Sequence, residues 1–235
     1  MRDKINIIDC TLRDGGYYNN WDFSNKLVND YLKSISETGI KYVELGFRSF
    51  SKKEFKGPNW YTTDSYINHL TIPKKLKIGV MVNMSEFVSK SVELKKKINL
   101  LFSDKRNSKV SFVRIAAHFK EFESALEMCK ILQSKGYFVC INLMQISEQS
   151  RENIYFASKK SSYYKPDVLY FADSLGGMRS KDIVKTIKEF RVNWSGPLGI
   201  HAHDNLEEAL SNTITSIKNG VTWVDSTITG MGRGP

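Results

Sequence analysis

Short runs of apolar, β-branched and aromatic residues recur along the chain at fairly even intervals. Runs of this length and composition are typical of buried β-strands. The pattern therefore predicts eight strands: INIID (5–9), YVELGF (42–47), KIGVMV (77–82), SFVRIAA (111–117), YFVCINLM (137–144), DVLYFAD (167–173), LGIHAH (198–203) and VTWVDSTIT (221–229).

The segments between these runs have the periodicity of amphipathic helices. In the segment 24–39, apolar residues mark one face, and Gly39 suits a helix end. The segments 120–136 and 204–220 behave in the same way, and each ends at a glycine. Strands that alternate with helices predict a parallel sheet. Eight such units favour an α/β fold of the TIM (β/α)8 barrel class over an open doubly wound sheet.

The even spacing also bears on domain organisation. No linker or low-complexity segment divides the chain, so we expect residues 1–235 to form a single barrel domain. The sequence stops at GMGRGP (230–235), directly after the eighth run, and the eighth helix of a complete barrel is missing from it. We therefore expect a chain that is truncated at its C-terminus or is part of a longer protein.

Composition and charge narrow the class of protein. A hydrophobic fraction of 41% fits a globular protein. The formal net charge of +10 would suit binding to nucleic-acid phosphates. The lysines, however, lie in short scattered groups such as 74–77 and 95–97, mixed with acids and without interleaved aromatic residues. We therefore expect a solvated lysine-rich surface and no nucleic-acid partner.

The cysteines and the hydropathy pattern predict a cytoplasmic location. Cys10, Cys129 and Cys140 are odd in number and lack CxxC spacing, so neither a disulfide framework nor a zinc–cysteine site is indicated. The chain shows neither a secretory leader pattern nor an apolar stretch long enough to span a bilayer. We expect a cytoplasmic protein with no membrane partner, whose outer helices would permit a homo-oligomer.

The candidate chemistry lies at the predicted strand ends. In a strand, residues two apart point to the same side, so His201 and His203 present their imidazoles together. Taken alone, HxH spacing is at least as common for histidines that only form hydrogen bonds. Asp204 and Asn205 follow at once and offer oxygen atoms that could support the rings or cap a helix.

A carboxylate from the first strand would complete a metal site. Asp14 follows that strand, and in a closed barrel only strand eight separates strands one and seven. We therefore predict that Asp14, His201 and His203 form a 2-His-1-carboxylate site with positions open to water or substrate. Arg13 could hold a substrate carboxylate or stabilise an enolate oxygen. A simple salt bridge between Arg13 and Asp14 is the alternative.

Three motifs resemble those of one enzyme superfamily. DCTLRDGG (9–16), HAHDN (201–205) and GMGRGP are similar to motifs of the HMG-CoA lyase-like, or DRE-TIM, metallolyases. These include 4-hydroxy-2-oxovalerate aldolase, HMG-CoA lyase and isopropylmalate synthase. The resemblance implies a TIM barrel that holds a divalent metal, often manganese, magnesium or cobalt, with zinc as a further option, through Asp14, His201 and His203. It also implies that Arg13 stabilises an enolate, such as that of pyruvate.

Within the superfamily the chain most resembles the 4-hydroxy-2-oxovalerate aldolases. FVRIAAHFKE (112–121), with Arg114 and His118, is similar to their fourth strand. FADSLGGM (171–178) is similar to their sixth-strand turn, in which the residue matching Ser174 contacts substrate. The resemblance thus implies Ser174 as a substrate-binding residue, and Arg114 is a second candidate for that role.

The catalytic base is the point of departure from the aldolases. They carry a histidine, thought to be the base, where this chain has Tyr17. A phenol with a pKa near 10 is a poor base at neutral pH unless a cation lowers that pKa. The candidates are Tyr17 tuned by Arg13 and the metal, His118, or metal-bound water. A purely structural role for Tyr17 is an equal alternative.

Three further polar residues have two interpretations each. Glu44 could orient a metal-bound water or a ligand, or it could pair with Arg13 or Arg48. Arg114 could bind a substrate carboxylate or neutralise a buried acid. Arg233 in the last loop could meet an anionic substrate, although turn chemistry alone explains the glycines around it.

The leading hypothesis is a metal-dependent aldolase, a lyase that acts on a small-molecule 4-hydroxy-2-oxo acid through a pyruvate enolate. The first alternative is a Claisen-type synthase that joins an acyl-CoA to a 2-oxo acid. The second is a barrel without catalysis that serves as a binding domain.

Overall fold

Eight parallel strands close into a barrel in which each strand pairs with the next and β8 pairs with β1. The computed structural model describes residues 4–88 and 90–232. Each predicted run overlaps one strand, so the predicted TIM barrel is confirmed. The strands are β1 Asn6–Asp9, β2 Tyr42–Phe47, β3 Lys77–Asn83, β4 Val110–Ala117, β5 Phe138–Leu143, β6 Val168–Asp173, β7 Leu198–Ala202 and β8 Trp223–Ser226.

Helices connect the strands and cover the outside of the barrel. They are α1 Thr11–Gly15, α2 Asn25–Ile35, α3 Pro58–Tyr61, α4 Asp64–Asn68, α5 Ser91–Leu101, α6 Phe122–Ser134, α7 Arg151–Tyr164, α8 Ser180–Arg191 and α9 Ala209–Lys218. The three helices expected in 24–39, 120–136 and 204–220 are α2, α6 and α9. After β8, the described residues form a short 3-10 turn, Ile228–Gly230, and no α-helix.

Local capping explains where α2 and α9 begin. The Ser24 hydroxyl accepts a hydrogen bond from the Leu27 backbone N–H, 3.2 Å away, which satisfies one of the free donors at the start of α2. The helix after β7 starts later than its sequence pattern suggests. A side-chain oxygen of Asp204 reaches across the intervening turn to the backbone N–H of Ala209, 2.8 Å away.

None of the described helices is long and apolar enough to cross a membrane. The expected cytoplasmic location and homo-oligomeric state stay predictions. Cys10, Cys129 and Cys140 are buried free thiols.

The barrel interior is filled in layers by residues of alternate strands. At the N-terminal end of the strands the filling is apolar and includes Phe112 and Trp223. A Cβ atom at position 79 would lie only 2.1 Å from the Phe112 ring, so Gly79 makes room for this aromatic side chain. A separate, larger apolar core lies between the strands and the outer helices. Both cores hold the strand ends in fixed positions.

Candidate active site

A cavity of about 560 Å³ opens at the C-terminal ends of the barrel strands. This is the face on which enzymes with this fold carry out their chemistry. Glu44 and Arg114 lie beneath the cavity with fully buried side chains and do not line it. The other seven predicted site residues line it: Arg13, Asp14, Tyr17, His118, Ser174, His201 and His203.

The two histidines at the end of β7 face each other through their Nε2 atoms, which lie 3.1 Å apart. His203 Nδ1 is 2.9 Å from the backbone carbonyl oxygen of Ser174. Because a carbonyl oxygen can only accept, this Nδ1 carries the proton. His201 Nδ1 lies 2.7 Å from a carboxylate oxygen of Asp225, which also accepts. In the neutral rings, therefore, two Nε2 lone pairs point at one another.

Asp14, the third predicted metal ligand, lies close to this pair. One of its carboxylate oxygens, Oδ1, contacts the Arg13 guanidinium. The other, Oδ2, is buried, accepts no hydrogen bond from the described residues, and lies 3.9 Å from His201 Nε2. Across residues 4–88 and 90–232, no three His, Cys, Asp or Glu side chains stand close enough to form a complete metal site. The imidazole pair is in place, and Asp14 is adjacent to it but held by Arg13.

Arg13 is fixed in three directions. Because α1 follows β1 with no loop, its single turn carries Arg13 over the end of the barrel. The guanidinium donates from Nε to Glu44 Oε1, 2.6 Å away, and contacts Asp14 through Nη1. Trp21 Nε1 donates to the Arg13 carbonyl oxygen over 2.8 Å. The remaining nitrogen, Nη2, is buried and has no hydrogen-bond partner among the described residues. It is the one guanidinium nitrogen left to meet a ligand.

A chain of alternating charges runs beneath the cavity. Glu44 Oε2 lies 3.5 Å from Arg114 Nη1, and Arg114 Nη2 lies 2.7 Å from Asp225 Oδ2. The same Asp225 oxygen contacts His201, so the chain links Arg13 to a histidine of the predicted metal site.

The buried ion pairs shift the pKa values of the chain members. Burial alone would raise the pKa of Asp225, but Arg114 and the hydrogen bond from His201 outweigh it and lower that pKa to about 2. Burial alone would lower the pKa of Arg13, but Asp14 and Glu44 outweigh it and raise that pKa well above its ordinary value. Asp225 and Arg13 are therefore both charged at neutral pH.

These contacts bear on the two interpretations of Glu44 and Arg114. Glu44 pairs with Arg13, whereas Arg48 pairs with Asp64 at 2.6 Å. Arg114 neutralises a buried acid, Asp225. Neither Glu44 nor Arg114 lines the cavity, so the geometry gives no support to direct contact of either residue with substrate.

Tyr17 and His118 occupy the rim of the cavity. Tyr17 is 66% exposed, and its ring packs edge-on against Trp21 with centroids 4.7 Å apart. No hydrogen bond or ion pair joins Tyr17 to Arg13 in the described part of the chain. His118 follows β4, and its backbone N–H donates to Glu121 Oε2 over 3.0 Å at the turn before α6. The geometry thus leaves the choice of base between them open.

Ser174 lies in the loop after β6 and forms two hydrogen bonds there. Its hydroxyl oxygen accepts a hydrogen bond from the Gln145 backbone N–H, 2.9 Å away, and its carbonyl oxygen holds His203. The predicted substrate contact of Ser174 stays a prediction. Arg233 lies outside the described residues.

Sequence reasoning missed two polar residues of the site. Asp225 lies two positions after the inward-facing Trp223 in the eighth run, so strand alternation places it inside the barrel. That alternation was the available signal. Asn142 of β5 is 3% exposed and lines the cavity, and its side-chain carbonyl accepts no hydrogen bond from the described residues. No motif in the sequence marks Asn142.

Comparisons with known proteins find relatives over nearly the whole chain. The family model described as HMGL-like matches residues 4–234. A 4-hydroxy-2-oxovalerate aldolase from Carboxydothermus hydrogenoformans is 28% identical over all of this chain and 68% of its own length. An oxaloacetate decarboxylase from Mycobacterium tuberculosis is 24% identical over 97% of this chain and 65% of its own length. The chain thus spans about two-thirds of the length of these curated relatives.

Solved structures place the chain in the same group. The N-terminal domain of a candidate aldolase from Bacteroides vulgatus superposes with a TM-score of 0.87 at 35% identity, covering 98% of this chain and 75% of that one. HMG-CoA lyase from Brucella melitensis superposes with a TM-score of 0.74 at 12% identity, covering 98% and 83%, and supports the fold alone. The family and the relatives point to an enzyme of the aldolase or lyase class. The chain belongs to the HMGL-like family.

Proposed function

We propose that this chain, with a divalent metal ion, cleaves a 4-hydroxy-2-oxo acid into pyruvate and an aldehyde, or catalyses the reverse aldol addition. Relatives named 4-hydroxy-2-oxovalerate aldolase, at 24% to 28% identity, support the substrate class. The cavity at the strand ends supports a small-molecule substrate.

The facing histidines are the observation that carries the proposal. Two lone pairs 3.1 Å apart repel each other, and a cation or a shared proton between His201 and His203 would relieve that repulsion. Metal–nitrogen bonds of about 2.0–2.1 Å to two neighbouring ligands bring their nitrogens to about this separation. The buried Asp14 oxygen without a hydrogen bond from the described residues supplies a negative charge next to the pair. These residues supply the atoms that a divalent cation takes as ligands, and Asp14, 3.9 Å from His201 Nε2, would have to move closer to the pair to complete the site.

The charge balance of the buried site favours the same conclusion. Its three carboxylates, Asp14, Glu44 and Asp225, face two guanidinium groups, Arg13 and Arg114, which leaves a formal charge of −1. Burial of uncompensated charge is unfavourable. A divalent cation would change the formal charge to +1, which a substrate carboxylate would then neutralise.

The metal would be held by His201, His203 and Asp14. When bound, it would polarise the oxygens of the 2-oxo acid. Two imidazoles and a carboxylate with open positions suit manganese, magnesium or cobalt, and zinc also accepts these ligands.

Arg13 would act on the substrate directly. When the C3–C4 bond breaks, its electron pair passes to C3 and negative charge develops on the C2 oxygen as the enolate forms. Arg13 Nη2 has no partner among the described residues and can donate to that oxygen. Glu44 and Asp14 hold the guanidinium in place before the reaction begins.

Aldol cleavage also needs a base for the proton of the 4-hydroxyl group. Of the predicted site residues, Tyr17 and His118 lie at the rim and carry groups that can accept it. Histidine is the side chain that serves most often as a general base, which favours His118. Substitution of each by phenylalanine, with pyruvate release measured against pH, would assign the base.

Decarboxylation of oxaloacetate is the second candidate. It forms the same enolate when the C3–C4 bond breaks, C4 leaves as CO2 and the electron pair stays on C3, and it needs no proton acceptor. The relative from Mycobacterium tuberculosis is named for this reaction.

The test is release of pyruvate by the purified protein, detected with lactate dehydrogenase. We expect turnover of 4-hydroxy-2-oxovalerate that requires Mn²⁺ or Mg²⁺, stops with a chelator, and is absent in His201→Ala. Release from oxaloacetate alone would favour the second candidate, and acetyl-CoA consumption with a 2-oxo acid would favour a synthase. No pyruvate from either substrate in the presence of metal would contradict the proposal.

A further inference from the structure

We propose that Asp225 is a positioning residue of the metal site, which fixes His201 with its proton on Nδ1 and its Nε2 lone pair toward the cation. Arg114 in turn holds Asp225. This inference rests on the proposed metal dependence and assigns a role to a residue that no motif marks.

The position of Asp225 carries the argument. It lies on β8, between the strand of the histidines and the strand that leads to Asp14, and its side chain is fully buried. A single oxygen, Oδ2, lies 2.7 Å from both His201 Nδ1 and Arg114 Nη2. Asp225 does not line the cavity, so it acts on the site through His201.

The two histidines are held by acceptors of different kinds. His203 donates to a backbone carbonyl, which stays in place as long as the loop after β6 does. His201 donates to a charged side chain, which makes the imidazole a stronger metal ligand as well as orienting it. A substitution at position 225 should therefore affect one histidine and leave the other unchanged.

Arg114 has a place in this arrangement that differs from substrate binding. It stands between Glu44 and Asp225, and its guanidinium lies over the Tyr170 ring at 4.4 Å. In this position Arg114 donates to the same Asp225 oxygen that contacts His201. The ion pair thus sets where the acceptor for His201 stands.

A merely structural ion pair would fill the barrel without acting on the histidine. A positioning role and a purely structural role for Asp225 differ in one measurable property, the tautomer of His201 in the metal-free protein. ¹⁵N NMR of histidine side chains measures that property without any turnover. The neighbouring strand supplies a matched control, because Asp9 is also buried but bonds to Tyr31 and the Thr11 backbone N–H, away from the histidines.

In the metal-free wild-type protein we expect both histidines of the site to carry the proton on Nδ1. In Asp225→Asn we expect His201 to populate the Nε2–H tautomer, because the amide can donate to Nδ1, while His203 keeps its tautomer. Asp9→Asn should leave both unchanged. A wild-type His201 without a proton on Nδ1 would overturn the proposal, and this measurement needs no variant to fold.

Mn²⁺ binding measured by calorimetry gives the second readout. We expect Asp225→Asn to bind Mn²⁺ roughly 10- to 100-fold more weakly than wild type, the usual effect of removing the group that orients a metal-bound histidine. Asp9→Asn should bind as wild type does. Equal Mn²⁺ affinity in wild type and Asp225→Asn, with an unchanged His201 tautomer, would overturn this inference alone. Failure of the wild-type protein to bind Mn²⁺ would instead overturn the proposed function.

Discussion

The two ends of the barrel interior are filled by opposite kinds of side chain. At the N-terminal end the strands contribute apolar groups such as Phe112 and Trp223. Two residues further along the same strands, on the same inward face, stand Arg114 and Asp225. Two residues along each strand therefore separate an apolar layer, which contains Phe112 and Trp223, from a charged layer, which contains Arg114 and Asp225.

The cost of burial differs between the layers. Apolar side chains gain free energy when they leave water. Buried ions lose several kcal/mol each in hydration, and ion pairs offset that loss only with good geometry. Two carboxylates of the charged layer meet this condition, because Glu44 lies between Arg13 and Arg114, and Asp225 lies between Arg114 and His201. The comparison predicts that substitutions in the charged layer affect chemistry and those in the apolar layer affect stability.

Removal of a histidine should give the largest effect on activity. In His203→Ala, we expect pyruvate release to fall below detection and Mn²⁺ binding to be lost, because a single imidazole and Asp14 remain. Thermal unfolding of the metal-free protein should change little. Measurable Mn²⁺-dependent turnover in this variant would contradict the proposal that His203 holds the catalytic metal.

Substitution of Arg13 should separate chemistry from metal binding. We expect Arg13→Lys to lower kcat by about 10²–10³-fold, the usual loss when a preorganised donor to a developing oxyanion is removed. A lysine ammonium keeps the charge but cannot contact Glu44, Asp14 and substrate in the same fixed geometry. Calorimetry should show Mn²⁺ affinity within a few-fold of wild type, because Arg13 is not a ligand. An unchanged kcat would exclude Arg13 as the stabilising donor.

A substitution in the apolar layer should show the opposite behaviour. Phe112 is 1% exposed inside the barrel. We expect Phe112→Ala to lower the free energy of unfolding by about 3–5 kcal/mol because it leaves a cavity in a packed core. At a temperature where the variant is folded, its kcat should stay near the wild-type value. A large loss of kcat in fully folded Phe112→Ala would show that the two layers are not separable.

Acid titration should give the smallest effect and concerns Asp225. Its pKa is lowered from 3.8 to about 2 in the folded protein, so the ionised carboxylate stabilises the fold above pH 4. That contribution is lost as the pH falls from about 4 to about 2 and amounts to roughly 2 kcal/mol. In urea unfolding over this range, we expect wild type to lose more stability than Asp225→Asn does. Parallel curves would contradict the assigned pKa shift.

Much of the fold follows from local patterns in the sequence. The apolar runs give eight strands because strands of a parallel barrel are covered on both faces and need little polar alternation. Gly39, Gly136 and Gly220 have φ between +86° and +90° at helix ends, as their positions predict. The late start of α9 was not predictable, since it depends on how Asp204 reaches Ala209 across a turn.

The candidate site was predictable where motifs lie next to strand ends. Asp14, His201 and His203 come together because β8 alone separates their strands. The role of Arg114 depends on a partner 111 residues away, Asp225, and no local pattern encodes that pairing. No local pattern marks Asn142 either, because it belongs to the site only through the cavity that the closed barrel creates.

Anomalous diffraction from crystals soaked in Mn²⁺ tests the central claim most directly. We predict a single anomalous peak at the barrel end, about 2.0–2.2 Å from the Nε2 atoms of His201 and His203 and from a carboxylate oxygen of Asp14. A crystal that shows no peak there at saturating Mn²⁺, with the two Nε2 atoms still 3.1 Å apart, would contradict the proposed metal site. The pair would then share a proton instead of a metal.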